Sequence, residues 1–123
     1  MARFIRFVVH QRIRGESRRS GVFTAAYELR AEGELLAHDR EWLEDLLAWF
    51  EAELTIPPKG MVPNRAIFWY SNVGPFSQRM WDLVHLLQEY GYTSEQITAG
   101  FIGRVVYQDK HQCAALPPRR RPR

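Results

Sequence analysis

The sequence predicts an α+β (or small α/β) fold, with a single mixed β-sheet packed by three helices in the order β-α-α-β-α-β-β-β. Three features of the chain lead to this fold class. A strand is followed by a long amphipathic helix over 65–92, a second apolar stripe at helical spacing covers 38–54, and two β-branched or small-residue runs near the C-terminus read as a hairpin.

The strand and helix over 65–92 are the strongest signal. Residues 66–70 read AIFWY and are apolar on both alternating faces, which predicts a central strand with a layer on each face. Pro75 suits a first helical position, because its missing N–H is unpaired there in any case. A stripe at helical spacing follows, and Gly91 provides a left-handed end to the helix.

Before this unit, residues 4–9 predict a strand, because they are rich in β-branched and aromatic residues. A short amphipathic helix then begins near Val22, with Ser20 as its candidate N-cap, and ends at Gly33. The next helix spans about 38–54 and carries acidic residues on its outer side.

After the unit, residues 95–99 predict a strand in preference to a helix that starts at Thr93. Strands over 104–108 and 112–116 are joined by a turn at Asp109 and Lys110. The expected organisation is one globular domain over 1–116, with a basic loop at 10–21, and a disordered tail rich in Pro and Arg over 117–123.

Charge is distributed unevenly. The net charge of +3 combines a net +5 over residues 1–21, a net −6 over 22–118 and a net +4 over the last five residues. We therefore expect an acidic body with basic ends. This layout disfavours binding of duplex DNA along an extended face, since phosphates require a basic surface.

Location follows from what the sequence lacks. There is no apolar run long enough to span a membrane, and charges interrupt the N-terminal segment where a signal peptide would lie. The single cysteine, Cys113, favours a reducing compartment. We therefore expect a cytoplasmic protein with no membrane partner.

The arginine-rich ends are the main candidate binding sites, because arginine neutralises phosphates, stacks on unpaired bases and anchors protein interfaces. The candidate partner-binding residues are Arg12, Arg14, Arg18, Arg19, Arg119, Arg120, Arg121 and Arg123.

A second candidate is the turn between the central strand and its helix. Ser71, Asn72, Gly74 and the backbone N–H groups around them lie at a helix N-terminus, where an anion can bind. The competing and favoured interpretation is that Ser71 or Asn72 only caps the helix.

Catalytic and metal-binding patterns are weak. Asp82 and His85 share a helical face without a third ligand at motif spacing, and His111 with Cys113 could form a Cys–His nucleophile only if the thiol pKa were lowered. We therefore expect no metal and no cofactor. An enzyme that uses the turn at 71–74 or the His111–Cys113 pair is kept as the least favoured option, to be tested by single substitutions of Ser71, His85, His111 and Cys113.

Four short stretches, GVFTAAYEL at 21–29, AIFW at 66–69, RMW at 79–81 and GRVVYQD at 103–109, resemble a group of small, uncharacterised bacterial proteins. The resemblance implies a single compact domain. Members of that group often carry lysine where this chain has Ser71.

The leading hypothesis is a binding or adaptor protein that docks on a protein or nucleoprotein complex through the arginine loop and tail, with Trp42 or Trp49 as exposed aromatic contacts. The second is direct binding of RNA or single-stranded DNA by the same arginines, with Tyr107 or Trp69 as stacking platforms.

Overall fold

The computed structural model describes residues 3–10 and 20–118 of the chain. Its α+β class and its order of principal elements confirm the predicted fold. The strands are β1 (Phe4–Val9), β2 (Ser20–Gly21), β3 (Ile67–Ser71), β4 (Ser94–Ala99), β5 (Arg104–Gln108) and β6 (Gln112–Leu116), and the helices are α1 (Val22–Glu32), α2 (Ala37–Glu53) and α3 (Gly74–Glu89).

The sheet has the main order β4-β1-β3-β6-β5, and every ladder between the described strands is antiparallel rather than mixed. The reason lies in the path of α3. The helix carries the chain from β3 across to the far edge of β1, so β4 pairs with β1 and not beside β3. No parallel pair therefore arises from the strand–helix–strand unit.

Strand β1 is paired along both of its edges. One edge pairs with β4 from Phe4 to Val9. The other edge is shared, since Phe4 and Ile5 pair with β3 while Val8 and Val9 pair with the two-residue strand β2. The first strand is therefore central, although a charged residue, Arg6, interrupts its apolar pattern.

All three helices pack on one face of the sheet. The main core joins Ile5, Phe7 and Val9 of β1 to the buried stripes of the helices, around the rings of Phe50 and Phe76. The second cluster of buried residues contains no helix residue. The prediction of a layer on each face of β3 is therefore wrong for the described residues, because strand neighbours rather than a helix bury Trp69.

The first helix begins one residue later than its predicted cap implied. Gly21, not Ser20, is the N-cap residue of α1, and it provides no side-chain capping bond. Gly33 ends α1 and Gly91, with a φ of 92°, follows the end of α3, as the sequence predicted.

Gly103 holds the loop before β5 against the end of β6. Its φ is 104°, and a Cβ atom at this position would lie 2.0 Å from the carbonyl oxygen of Leu116. Gly60 also has a positive φ, of 84°, but a Cβ atom there would meet nothing within 4 Å. Substitutions at the two glycines therefore separate the effect of backbone strain, present at both, from the effect of steric overlap, present only at Gly103.

We expect Gly103→Ala to lower the free energy of unfolding clearly more than Gly60→Ala does. The Gly60 variant adds only the left-handed backbone penalty of about 1–2 kcal/mol, whereas the Gly103 variant must also displace the backbone of β6. Urea unfolding of both variants measures the difference. Equal losses of stability would contradict this account.

Candidate functional site

The side of the sheet away from the helices carries an apolar surface, here called the uncovered face. In an antiparallel sheet with one solvated side, alternate residues on that side are usually polar. Here they are largely apolar, and the buried or half-buried members are Phe4, Ile67, Trp69, Ile97, Ala99, Ile102, Cys113 and Ala115. Among the described residues this face lacks the layer that its composition calls for.

Exposed apolar side chains lie at both ends of the uncovered face. At one end, Val105 pairs with Ala115 and is 46% exposed, and Phe101, next to Ile102, is 75% exposed. At the other end, Val73 is 74% exposed. A group of exposed apolar side chains on a folded domain can mark an interaction site.

A groove of about 330 Å³ opens at the Val73 end of the face. Phe4, Trp69 and Cys113 contribute its apolar lining, and Ser71 lies beside them. Arg3 and Lys110, both exposed, add two positive charges to its wall. The groove therefore combines an apolar lining with a cationic rim.

A hydrogen-bonded turn between β5 and β6 forms one wall of the groove. The carboxylate of Asp109 accepts bonds from the hydroxyl of Tyr107 at 2.7 Å, from the backbone N–H groups of His111 and Gln112 at 3.0 and 3.1 Å, and from Nε2 of Gln112 at 2.9 Å. Burial opposes the ionisation of Asp109, but these bonds together hold its pKa below the ordinary value.

The same turn is tied to α2 and to β3. Nε2 of Gln112 donates to the carbonyl oxygen of Thr55 at 2.6 Å, and Nε2 of His111 lies 2.9 Å from Glu53. The backbone N–H of Ser71 donates to the carbonyl oxygen of His111 at 3.0 Å. The wall of the groove is therefore fixed by hydrogen bonds to the C-terminal end of α2, to the residue that follows its cap and to β3.

Trp69 brings an unpaired donor to the uncovered face. Its side chain is 8% exposed, and its indole N–H is buried without a hydrogen-bond partner in the described part of the chain. An unpaired buried donor is unfavourable by about 1–3 kcal/mol. The guanidinium of Arg6 lies 5.5 Å from the centre of the indole ring. Trp69 is therefore a packed residue of the cluster, and its ring face is not open for stacking with a base.

The predicted ligand turn lies at the groove but is built differently from the sequence prediction. Val73, with no side-chain capping bond, is the N-cap residue of α3, so neither Ser71 nor Asn72 caps that helix. The backbone N–H of Ser71 is taken by His111, and that of Asn72 donates to the carbonyl oxygen of Arg3 at 3.3 Å. These two N–H groups are not available to an anion, whereas the side chain of Ser71 still borders the groove. Gly74 supplies the positive φ, 77°, at which α3 starts.

Three residues of the least favoured, enzymatic option, Ser71, His111 and Cys113, line the same groove, but the thiol is not activated there. The ring of His111 stacks on Phe76 in the helix-facing core, whereas Cys113 packs against Trp69 in the second cluster. Burial raises the pKa of the Cys113 thiol and the charge of Asp109 raises it further, which is the reverse of what a nucleophile needs. His85 lies near the ring of Trp81, and no group of three ligand-type side chains occurs in residues 3–10 and 20–118.

The predicted arginine sites fall outside the described residues. This holds for the four arginines of the loop and the four of the tail: Arg12, Arg14, Arg18, Arg19, Arg119, Arg120, Arg121 and Arg123. Their points of attachment are described, however. The loop leaves β1 at His10 and returns at β2, and the tail follows Pro118.

Sequence reasoning missed the residues that the fold gathers at the groove. Arg3 and Lys110 are more than one hundred positions apart in sequence, and no motif connects them with Trp69. The aromatic candidates differ in exposure. Trp42 is 39% exposed on α2, whereas Trp49 is half-buried beneath the guanidinium of Arg79.

Comparison with protein-family models, with curated proteins and with solved structures found no match. Within the described ranges, no helix is both long and apolar enough to cross a membrane.

Asp109→Asn should destabilise the protein at neutral pH by about 1–3 kcal/mol. The carboxylate has two acceptor oxygens for its four hydrogen-bond donors, whereas the amide has only one acceptor oxygen. Because the folded-state pKa of Asp109 lies below its unfolded value, this stabilisation is present above the unfolded pKa and is lost as pH falls through the folded pKa. Urea unfolding of both proteins at about pH 7 and about pH 3 measures it. A stability difference that does not shrink in acid would contradict this role for the carboxylate.

Proposed function

We propose that this protein is a small cytoplasmic binding protein without catalytic activity, which docks on a protein or nucleoprotein complex. The uncovered face is its main contact surface, and the arginine-rich loop and tail add electrostatic attraction. The observation that carries the proposal is the uncovered face itself, a side of the sheet that is apolar where water contact favours polar residues.

The distribution of exposed residues supports a protein partner. Phe101, Val105 and Val73 present apolar groups around a cluster that is already packed, as in the centre of a protein interface. The cluster members between them are half-buried or buried, which provides a pre-formed surface. A rigid surface of this kind binds with a small loss of conformational entropy.

Charge at the groove specifies the chemistry of the partner segment. Arg3 and Lys110 are exposed there, and the nearby carboxylate of Asp109 is already occupied by four internal hydrogen bonds. A partner segment that places apolar side chains next to carboxylates therefore complements both the lining and the rim. The arginines of the loop and tail favour the same sign of partner charge.

A photo-crosslinking amino acid at Phe101 should capture a partner protein that the same group at Ile56 does not capture. Ile56 is a matched control, since it is 89% exposed but lies in the loop after α2. Lys110→Glu should reduce the yield from position 101 by about tenfold, equivalent to about 1.4 kcal/mol, whereas Lys59→Glu, in the same loop as Ile56, should not.

The identity of the crosslinked product decides the outcome. A partner that is captured from position 101 and lost in the Lys110 variant supports the proposal. Equal products from positions 101 and 56, or a product that contains only a second copy of this chain, would show that the uncovered face does not serve a separate partner.

Replacing the four loop arginines by glutamine and removing residues 119–123 should weaken capture of the same partner and flatten its dependence on salt. Attraction between exposed charges is largely screened beyond about 10 Å at 0.1 M salt. Charges at the edge of an interface act mainly on the association rate. Surface plasmon resonance at several salt concentrations measures the rates. Unchanged association at low salt would remove the arginine ends from the docking surface.

A further inference from the structure

A second concave site lies on the other edge of β1. Strand β3 pairs with Phe4 and Ile5 and then diverges, while β2 takes up the edge again at Val8. The β3 ladder ends at Ile5 and the β2 ladder begins at Val8, so the two strands are separated along this edge. The divergence leaves an open cleft of about 540 Å³, which lies within the range of ligand sites.

The cleft is positively charged. Arg6 and Arg65 are among the residues that line it, and none of the described lining residues is acidic. Arg65 is exposed and forms no ion pair within the described ranges. The polar side chains of Asn64 and Thr24 complete a set of groups suited to hydrogen-bonding an anion.

The N-terminus of α1 opens onto the same cleft. Gly21 and the first helical residues Val22, Phe23 and Thr24 all contribute to its wall. Gly21, the N-cap residue, has no side chain that could cap the helix, and the first turn has no acidic residue. The free N–H groups and the positive end of the helix dipole therefore add to the two arginines.

Aromatic side chains supply an apolar wall, with a polar group among them. Phe23 and Phe68 are half-buried at the cleft. Phe23 packs edge to face against Tyr70, with 5.7 Å between the ring centroids. The hydroxyl of Tyr70 has no hydrogen-bond partner among the described residues. Burial raises the pKa of Tyr70, and the positive charge of Arg6 acts in the opposite direction. Tyr70 therefore keeps its proton and can donate it in a hydrogen bond to a ligand.

We infer that this cleft binds a nucleotide unit, with its phosphate at the arginines and the N-terminus of α1 and its base against the aromatic wall. The cleft adjoins the uncovered face and shares Ile67 with it, but the inference does not depend on the proposed docking. Free mononucleotides and single-stranded nucleic acid offer the same unit. The basic loop at 10–21 starts and ends beside the cleft, at β1 and β2, and makes a nucleic-acid chain a suitable source.

Substitutions at position 21 can test the effect of a negative charge on ligand binding with little change in shape. Gly21 has an ordinary φ of −80°, and a Cβ atom there would meet nothing within 4 Å. Gly21→Asp and Gly21→Asn have nearly the same shape, and each can cap α1. Only the aspartate places a negative charge where the phosphate is expected, so a difference in binding between them cannot arise from misfolding.

The experiment is a titration of the full-length protein with AMP, inorganic phosphate and an oligothymidylate of about eight nucleotides, followed by ¹⁵N–¹H NMR. AMP should shift the amide signals of Val22, Phe23 and Thr24. Gly21→Asp and Arg65→Gln should each weaken AMP binding, the former by at least about tenfold relative to Gly21→Asn. Lys59→Gln should leave it unchanged, since Lys59 is not among the residues that line the cleft.

The oligonucleotide separates the two sources of the nucleotide unit. Binding that is much tighter than that of AMP and falls steeply with salt assigns the site to a nucleic-acid chain, whereas AMP binding alone assigns it to a free nucleotide. Three results would overturn the inference: no shift of the α1 amides with AMP or the oligonucleotide, equal affinity of the Asp and Asn variants, or binding of inorganic phosphate as tight as that of AMP.

Discussion

Strand β1 has two edges and pairs with three strands, and the candidate surfaces depend on how these three strands share the two edges. Because β4 occupies one edge along its whole length, β2 and β3 must share the other. Strand β3 can stay beside β1 for only two residues before it turns toward β6. The cleft arises where the strands part, and the groove lies near the end where they still pair, at Phe4 and Ser71.

The two faces of the sheet reach burial by different means. On one face, rings from α1, α2, α3 and β3 pack edge to face or in offset stacks around Phe50 and Phe76. On the other, Trp69 is buried by small and β-branched neighbours on adjacent strands, so its large ring contacts Cys113 and Ala115 rather than a helix. This second arrangement leaves the rim of the cluster exposed, which fits a surface that another molecule completes.

Charge is also separated by the fold. The solvent side of α2 carries the exposed carboxylates Glu41, Glu44 and Asp45, whereas the groove and the cleft carry Arg3, Lys110, Arg6 and Arg65. The strands that the loop connects, β1 and β2, both border the cleft. An anionic partner that approaches the sheet is therefore attracted from the outset, and the same partner is repelled by α2.

Sequence by itself determined the elements, because periodicity, turn residues and glycines act over a few neighbouring positions. The hairpin over 104–116 and the stripes of α2 and α3 follow from such local signals. Only the tertiary structure decided which strands meet. The sharing of one β1 edge between β2 and β3 brought Arg6 and Arg65 to one cleft, and the antiparallel pairing of β6 with β3 brought Lys110 and Arg3 to one groove. The sharing of a strand edge depends on contacts between distant segments, and no local pattern encodes it.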